Sequence, residues 1–247
     1  VYKRQELIFP NNETPNYNVI DMQMSTALSS GFNHIIVILD YTPDWLVNNT
    51  GFQCYNINHY PPSNFTEWGK LAALVVKHID VSFKPSVIYY EIWNEPDAAR
   101  FLCVDPSHRE SVYFKIFSSA ASEIRKNTYN GKVELGGPTL ANPYRDLQMI
   151  YDFVHDKDTY PYVNFVSYHQ YAVSGLPDSW NGTELPIFPA MQQASTGYAQ
   201  IYAKVASIVH TGLEPNSSSL PIFITEYNTD TVGPDCCGSS VTFSPLY

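Results

Sequence analysis

Hydrophobic positions in this chain gather into five short blocks: HIIVILD (34–40), SVIYYEIW (86–93), KVELGG (132–137), VNFVSYHQ (163–170) and LPIFITE (220–226). They are rich in Ile, Val, Phe and Tyr and run almost continuously instead of alternating with polar residues. Strands covered on both faces read this way. Between the blocks, apolar residues recur at helical spacing. NVIDMQMSTALSSGF precedes the first block and should stop at Gly31, a residue suited to a left-handed C-terminal position. FTEWGKLAALVVKHID (65–80) has Asn64 or Thr66 to cap it. SHRESVYFKIFSSAASEIRKN (107–127) opens with Ser107 and Glu110 at capping-box spacing. YRDLQMIYDFVHD (144–156) aligns Leu147, Ile150, Tyr151 and Val154 on one side, and QQASTGYAQIYAKVASIVHTG (192–212) should end at Gly212.

The order is one helix, then strand and helix four times, then a last strand. Such alternation predicts parallel strands joined by right-handed crossovers. An open doubly wound sheet and a (β/α)8 TIM barrel both satisfy it. No glycine-rich phosphate loop follows any strand: Gly136-Gly137 runs into Pro138 and lacks the spacing and the lysine of a nucleotide loop. The elaborate loops all follow strand C-termini, the end at which barrels build their sites. The fold class expected is therefore α/β, a TIM barrel present as a fragment covering about strands 3 to 7. About two strands are expected before Asn18 and one after Tyr247. Residues 1–17 read as a poorly defined leading segment and 18–247 as a partial barrel domain truncated at both ends, whose isolated arc would expose an apolar edge.

Composition narrows the partners. Of 247 residues, 44% are hydrophobic and 15% aromatic, enough for a sizeable core and against disorder. The formal charge of -10 disfavours nucleic acid, which needs clustered Lys and Arg. No apolar run approaches the roughly 20 residues of a membrane span. No secretory signal is visible at the start, yet five Asn-X-Ser/Thr triplets, at Asn12, Asn48, Asn64, Asn181 and Asn216, point to a secreted or lysosomal glycoprotein. The four cysteines, Cys54, Cys103, Cys236 and Cys237, fit no zinc pattern. Three pairings are open. Cys54 with Cys103 requires both on loops at one end of the fold, and a vicinal bond between the other two would be strained.

The chemistry sits at strand ends. SVIYYEIW runs directly into Asn94, Glu95 and Pro96. Pro96 cannot extend a ladder, so a carboxyl and an amide are left at the C-terminal mouth, a pairing suited to a sugar hydroxyl and a leaving oxygen. LPIFITE likewise ends in Glu226, followed by Tyr227. A closed barrel can bring two such ends face to face, and carboxyls about 5–5.5 Å apart make a retaining glycosidase pair. Other polar strand ends supply Asp40 with Trp45, and His169 with Tyr171. Trp45 and Tyr171 are candidate sugar platforms, and His169 a candidate partner for a carboxylate or substrate hydroxyl. Glu91, inside its strand, reads as structural.

EIWNEPD, the Gly-Gly-Pro-Thr at 136–139, LDYTPDWL (39–46) and FVSYHQY together resemble the clan A glycoside hydrolases, and among them most nearly family 39, the β-xylosidase and α-L-iduronidase family. The resemblance runs from about Asn18 to Asn228. It implies a retaining double displacement on a glycoside or oligosaccharide, with Glu95 as general acid/base, Glu226 as nucleophile, Asn94 on the sugar 2-hydroxyl, and no metal or organic cofactor. Tyr227 and Asp40 join the expected substrate contacts. Another clan A specificity, a β-glucosidase or endo-glucanase, would keep both glutamates in a longer cleft, and a non-catalytic carbohydrate-binding barrel is the rival outside catalysis.

Overall fold

All five apolar blocks become strands of one sheet. In the computed structural model, which describes residues 8–12, 14–52, 54, 56–83, 87–144, 146–173, 187–210 and 220–230, the chain runs α1 (Asn18–Ser29), β1 (Ile35–Leu39), α2 (Phe65–Phe83), β2 (Val87–Ile92), α3 (Pro106–Arg125), β3 (Lys132–Leu140), α4 (Leu147–His155), β4 (Phe165–Val173), α5 (Ile187–His210) and β5 (Ile222–Asp230). The strands stand in sequence order and every neighbouring pair is parallel. The result is the arc of a (β/α)8 barrel. Alternate side chains separate the two faces. On one, Tyr89, Phe165 and Phe223 form an aromatic layer with ring centroids 5.1 to 5.5 Å apart. On the other, Trp68 and Ile79 of α2, Ile116 and Phe117 of α3 and Phe153 of α4 are fully buried. At the β1 end, Ile36 and Phe32 are exposed at 38% and 64%.

Local chemistry sets most boundaries as expected. Gly31 takes φ 87°, and Gly31 and Phe32 return their N–H groups to Leu28 and Ala27, which ends α1. Asn64 caps α2 by accepting from the Glu67 N–H at 3.1 Å. Two expectations are corrected. Helix α3 is capped not by Ser107 with Glu110 but by Asp105, whose carboxylate accepts from Ser107 N–H, with Pro106 in the first turn. A carboxylate is as good a cap as a hydroxyl, and proline is favoured at the first helical position. In α4 the buried stripe is Met149, Ile150, Phe153 and Val154, and Tyr151 turns out to solvent. Strand β3 also runs three residues past its apolar block, through Pro138 to Leu140.

Helices α2 and α3 approach most closely at Gly69, where an added Cβ would lie 2.6 Å from the Ser119 carbonyl oxygen. Gly69→Ala should therefore lower stability by about 1–3 kcal/mol in a urea titration, despite the roughly 1 kcal/mol that alanine gains in helix propensity. A variant as stable as the parent would show that the two helices can separate without loss.

Cys54 and Cys103 form a disulfide with Cα atoms 5.5 Å apart, joining the loop after β1 to the loop after β2. Cys236, Cys237, Gly212, Asn181 and Asn216 lie outside the described residues; Asn12, Asn48 and Asn64 are exposed. In the leading segment Ile8 and Phe9 are buried, and the Phe9 carbonyl accepts from the Trp45 indole at 3.1 Å. Among the described residues no helix is long and apolar enough to cross a membrane.

Candidate active site

The backbone after β2 leaves the strand through two left-handed residues, Trp93 (φ 69°) and Glu95 (φ 48°). Non-glycine residues adopt this region at a cost of about 1–3 kcal/mol each, so neighbours must hold them. Trp93 N–H donates to the Leu39 carbonyl at 2.9 Å, and its indole donates to the Phe101 carbonyl at 2.9 Å. Glu95 N–H donates to the Thr139 carbonyl at 3.1 Å. Thr139 is itself left-handed (φ 56°) and is the extra residue of a bulge between Pro138 and Leu140. Below it, Gly136 and Gly137 admit Phe165 and the Tyr113 hydroxyl to positions that a Cβ would fill. Asp97 clips the loop to its neighbour, accepting from Ala141 N–H (2.8 Å) and Asn142 N–H (3.2 Å). Burial raises the Asp97 pKa, and these backbone N–H groups pull it the other way.

A second bulge places Glu226. Tyr168 of β4 pairs with Ile224 of β5, but His169 pairs with Glu226, leaving Thr225 as the extra residue. Without it, Glu226 would sit opposite Gln170, on the other face. Bulges next to sites re-aim side chains in this way, and here the shift puts Glu226 on the face that carries His169. Tyr227 then falls to the opposite face and is 75% exposed. Tyr227, an expected substrate contact, is thus set on the face away from His169.

His169, fully buried, joins the two carboxylates: its Nδ1 lies 2.8 Å from Glu95 Oε1 and 3.4 Å from Glu226 Oε2. Ionised carboxylates only accept, so Nδ1 carries the hydrogen. Tyr171 donates its hydroxyl to Glu226 Oε2 at 2.9 Å. Burial first, then the Glu226 charge and the hydrogen bond to it, hold the Tyr171 phenol well above its ordinary pKa, so it stays a donor. Glu226 Oε2 thus accepts from Tyr171 and lies beside His169 Nδ1, whose hydrogen bond goes to Glu95. Glu95 is 6% exposed, and its Oε2 has no hydrogen-bond partner among the described residues. Carboxylate oxygens of Glu95 and Glu226 come within 4.8 Å of each other.

Asn94 is fully buried beside them and donates Nδ2 to the Tyr41 hydroxyl at 3.0 Å. Burial, then the charge of Asp40, raises the Tyr41 pKa far above its usual value. Asp40 is buried at the end of β1, beneath Tyr41. Trp45 stands apart, half exposed and tied to Phe9; none of its described contacts reaches Glu95, His169 or Glu226. Glu91 is buried within β2. Glu95, His169 and Glu226 are also the group of His/Cys/Asp/Glu ligand atoms, among the described residues, close enough to hold a metal ion. The hydrogen bond from His169 to Glu95 and the bond from Tyr171 to Glu226 already hold these side chains together. The sequence reading gave no role to Tyr41 or Asp97, although both stand in strand-end segments it singled out, LDYTPDWL and EIWNEPD.

Comparison with known proteins bears on the family and the fold. The model for Glycosyl hydrolases family 39 matches residues 8–244. Among solved structures, a GH39 β-xylosidase from Caulobacter crescentus superposes with a TM-score of 0.65 at 18% identity, over 92% of this chain and 44% of its own. A monomeric β-xylosidase from Caulobacter crescentus CB15 gives 0.66 at 21% identity, over 89% and 42%. A bacterial orthologue of human α-L-iduronidase gives 0.64 at 13% identity, over 94% and 35%. At these identities the likeness is one of fold, and the chain spans less than half the length of each structure.

Proposed function

The chain belongs to glycosyl hydrolase family 39, and from that premise we propose that it forms part of a retaining glycoside hydrolase, with Glu95 as general acid/base and Glu226 as nucleophile. The observation that carries this reading is the approach of the two carboxylates to within 4.8 Å at the ends of β2 and β5. Retaining pairs stand about 5–5.5 Å apart, whereas inverting pairs leave about 6.5–9.5 Å for a water molecule.

Each group has one task. Glu226, its Oε2 held by the Tyr171 hydroxyl, attacks the anomeric carbon. Glu95, anchored through Oε1 by His169, delivers its proton to the glycosidic oxygen as the bond breaks. The products of this step are the free alcohol and a glycosyl ester of Glu226. Water then attacks the anomeric carbon, breaking its bond to the Glu226 oxygen. Glu95, now ionised, takes the water's proton, and Glu226 leaves as carboxylate. One residue thus serves as acid and then as base. Asn94, its amide nitrogen engaged by Tyr41, offers its carbonyl oxygen to the sugar 2-hydroxyl.

A β-xyloside is the substrate proposed, because the Caulobacter structures similar to this chain are β-xylosidases. The test is to incubate the full-length protein with aryl β-xyloside, α-L-iduronide and β-glucoside and follow the anomeric proton by NMR. The β-xyloside is expected to react fastest and to release first a sugar of unchanged anomeric configuration. An inverted first product would sink the double displacement, and a preference for either other sugar would replace the substrate while leaving the mechanism.

A further inference from the structure

The loop after β1 turns back onto the site through His59, a residue with no part in the steps above. His59 is 4% exposed. Its Nδ1 faces the Arg100 carbonyl, which can only accept, so Nδ1 carries the hydrogen. Its own carbonyl accepts from Cys103 N–H at 3.0 Å. Its ring is wedged between Tyr41 (centroids 4.2 Å) and Phe101 (5.5 Å). Both sides of the wedge lead to the acid/base. On one, the Tyr41 hydroxyl accepts from Asn94, the residue before Glu95. On the other, consecutive turns run from Arg100 back to Glu95: Phe101 N–H donates to the Ala98 carbonyl (2.9 Å), and Ala98 N–H donates to the Glu95 carbonyl (3.1 Å).

We propose that His59 is a positioning residue for Glu95, binding the loop after β1 to the loop after β2 so that the acid/base carboxyl stays in line with the glycosidic oxygen. This rests on the assignment of Glu95 above. Of the two loops, the one after β2 holds Glu95 in a left-handed conformation that it would not keep unaided. A displacement of about 1 Å at such a group costs on the order of 10²-fold in rate.

The test separates positioning from general stability by leaving group. A phenyl glycoside needs its leaving oxygen protonated, whereas 2,4-dinitrophenolate departs without help. His59→Phe keeps the ring and removes the N–H. In the full-length protein, with the sugar that it hydrolyses, His59→Phe is expected to lose about 10- to 100-fold in kcat/KM on the phenyl glycoside and several-fold less on the dinitrophenyl glycoside. His59→Asn, which restores a donor where Nδ1 stood, should recover most of the loss. Tyr41→Phe removes the acceptor for Asn94 and carries the same expectation, so the outcome does not depend on one variant folding. Equal losses on both substrates, or none, in folded His59→Phe and Tyr41→Phe would overturn the proposal. Glu95→Gln is the control. If it shows the leaving-group bias and the His59 variants do not, only the positioning role falls. If Glu95→Gln shows no bias, the acid/base assignment fails and the proposal with it.

Discussion

Glu226→Ala is expected to lower turnover of the preferred aryl glycoside by on the order of 10⁴-fold or more without weakening the fold. The loss follows from the absence of any other described carboxylate within reach of the anomeric carbon on that side, and a methyl group cannot form the ester. The fold should survive because Glu226 sits close to a second carboxylate, so its removal relieves repulsion while leaving Glu95 bound to His169. The melting temperature should be unchanged or higher, as is common when a strained functional group is removed. Added azide fits the space left by the side chain and attacks in a single displacement, so the rescued product should be a glycosyl azide of inverted configuration. Near-normal turnover in a folded Glu226→Ala protein would remove Glu226 from the role of nucleophile. An azide product of retained configuration would point to another group forming the intermediate.

The strands were legible because parallel strands are buried on both faces, which leaves continuous runs of Ile, Val and Tyr that few other structures use. Glu95 was legible for a related reason: an apolar strand that breaks into Asn-Glu-Pro has no structural use for the carboxyl. Glu226 was found as a strand end, but the face it occupies could not be read. Alternation alone puts Glu226 opposite Gln170, and only the bulge at Thr225 moves it to His169. Such a bulge is set by how two strands meet, which no single segment records. The same one-residue step sets Tyr227 on the opposite face. The α4 stripe failed differently: Tyr151 and Phe153 both suit a helix, and the closeness of Phe117, with ring centroids 4.7 Å away, selects Phe153 for the core. His59 lies in a loop, away from any strand end, and becomes visible only once the Cys54–Cys103 link and the Arg100 carbonyl are brought beside it.

Glu95→Ala should fail in a different way from Glu226→Ala. Loss of the acid should cost about 10²- to 10⁴-fold on substrates whose leaving oxygen needs a proton. On a dinitrophenyl glycoside the first step should remain fast, because no proton is required and Glu226, held by Tyr171, is untouched. The second step still needs a base to activate water, so the glycosyl ester should accumulate. A burst of dinitrophenolate and a fall in KM would report it. Azide needs no base, so it should speed that step and yield a glycosyl azide of retained configuration, because two displacements have then occurred. An inverted azide product would exchange the roles of the two glutamates.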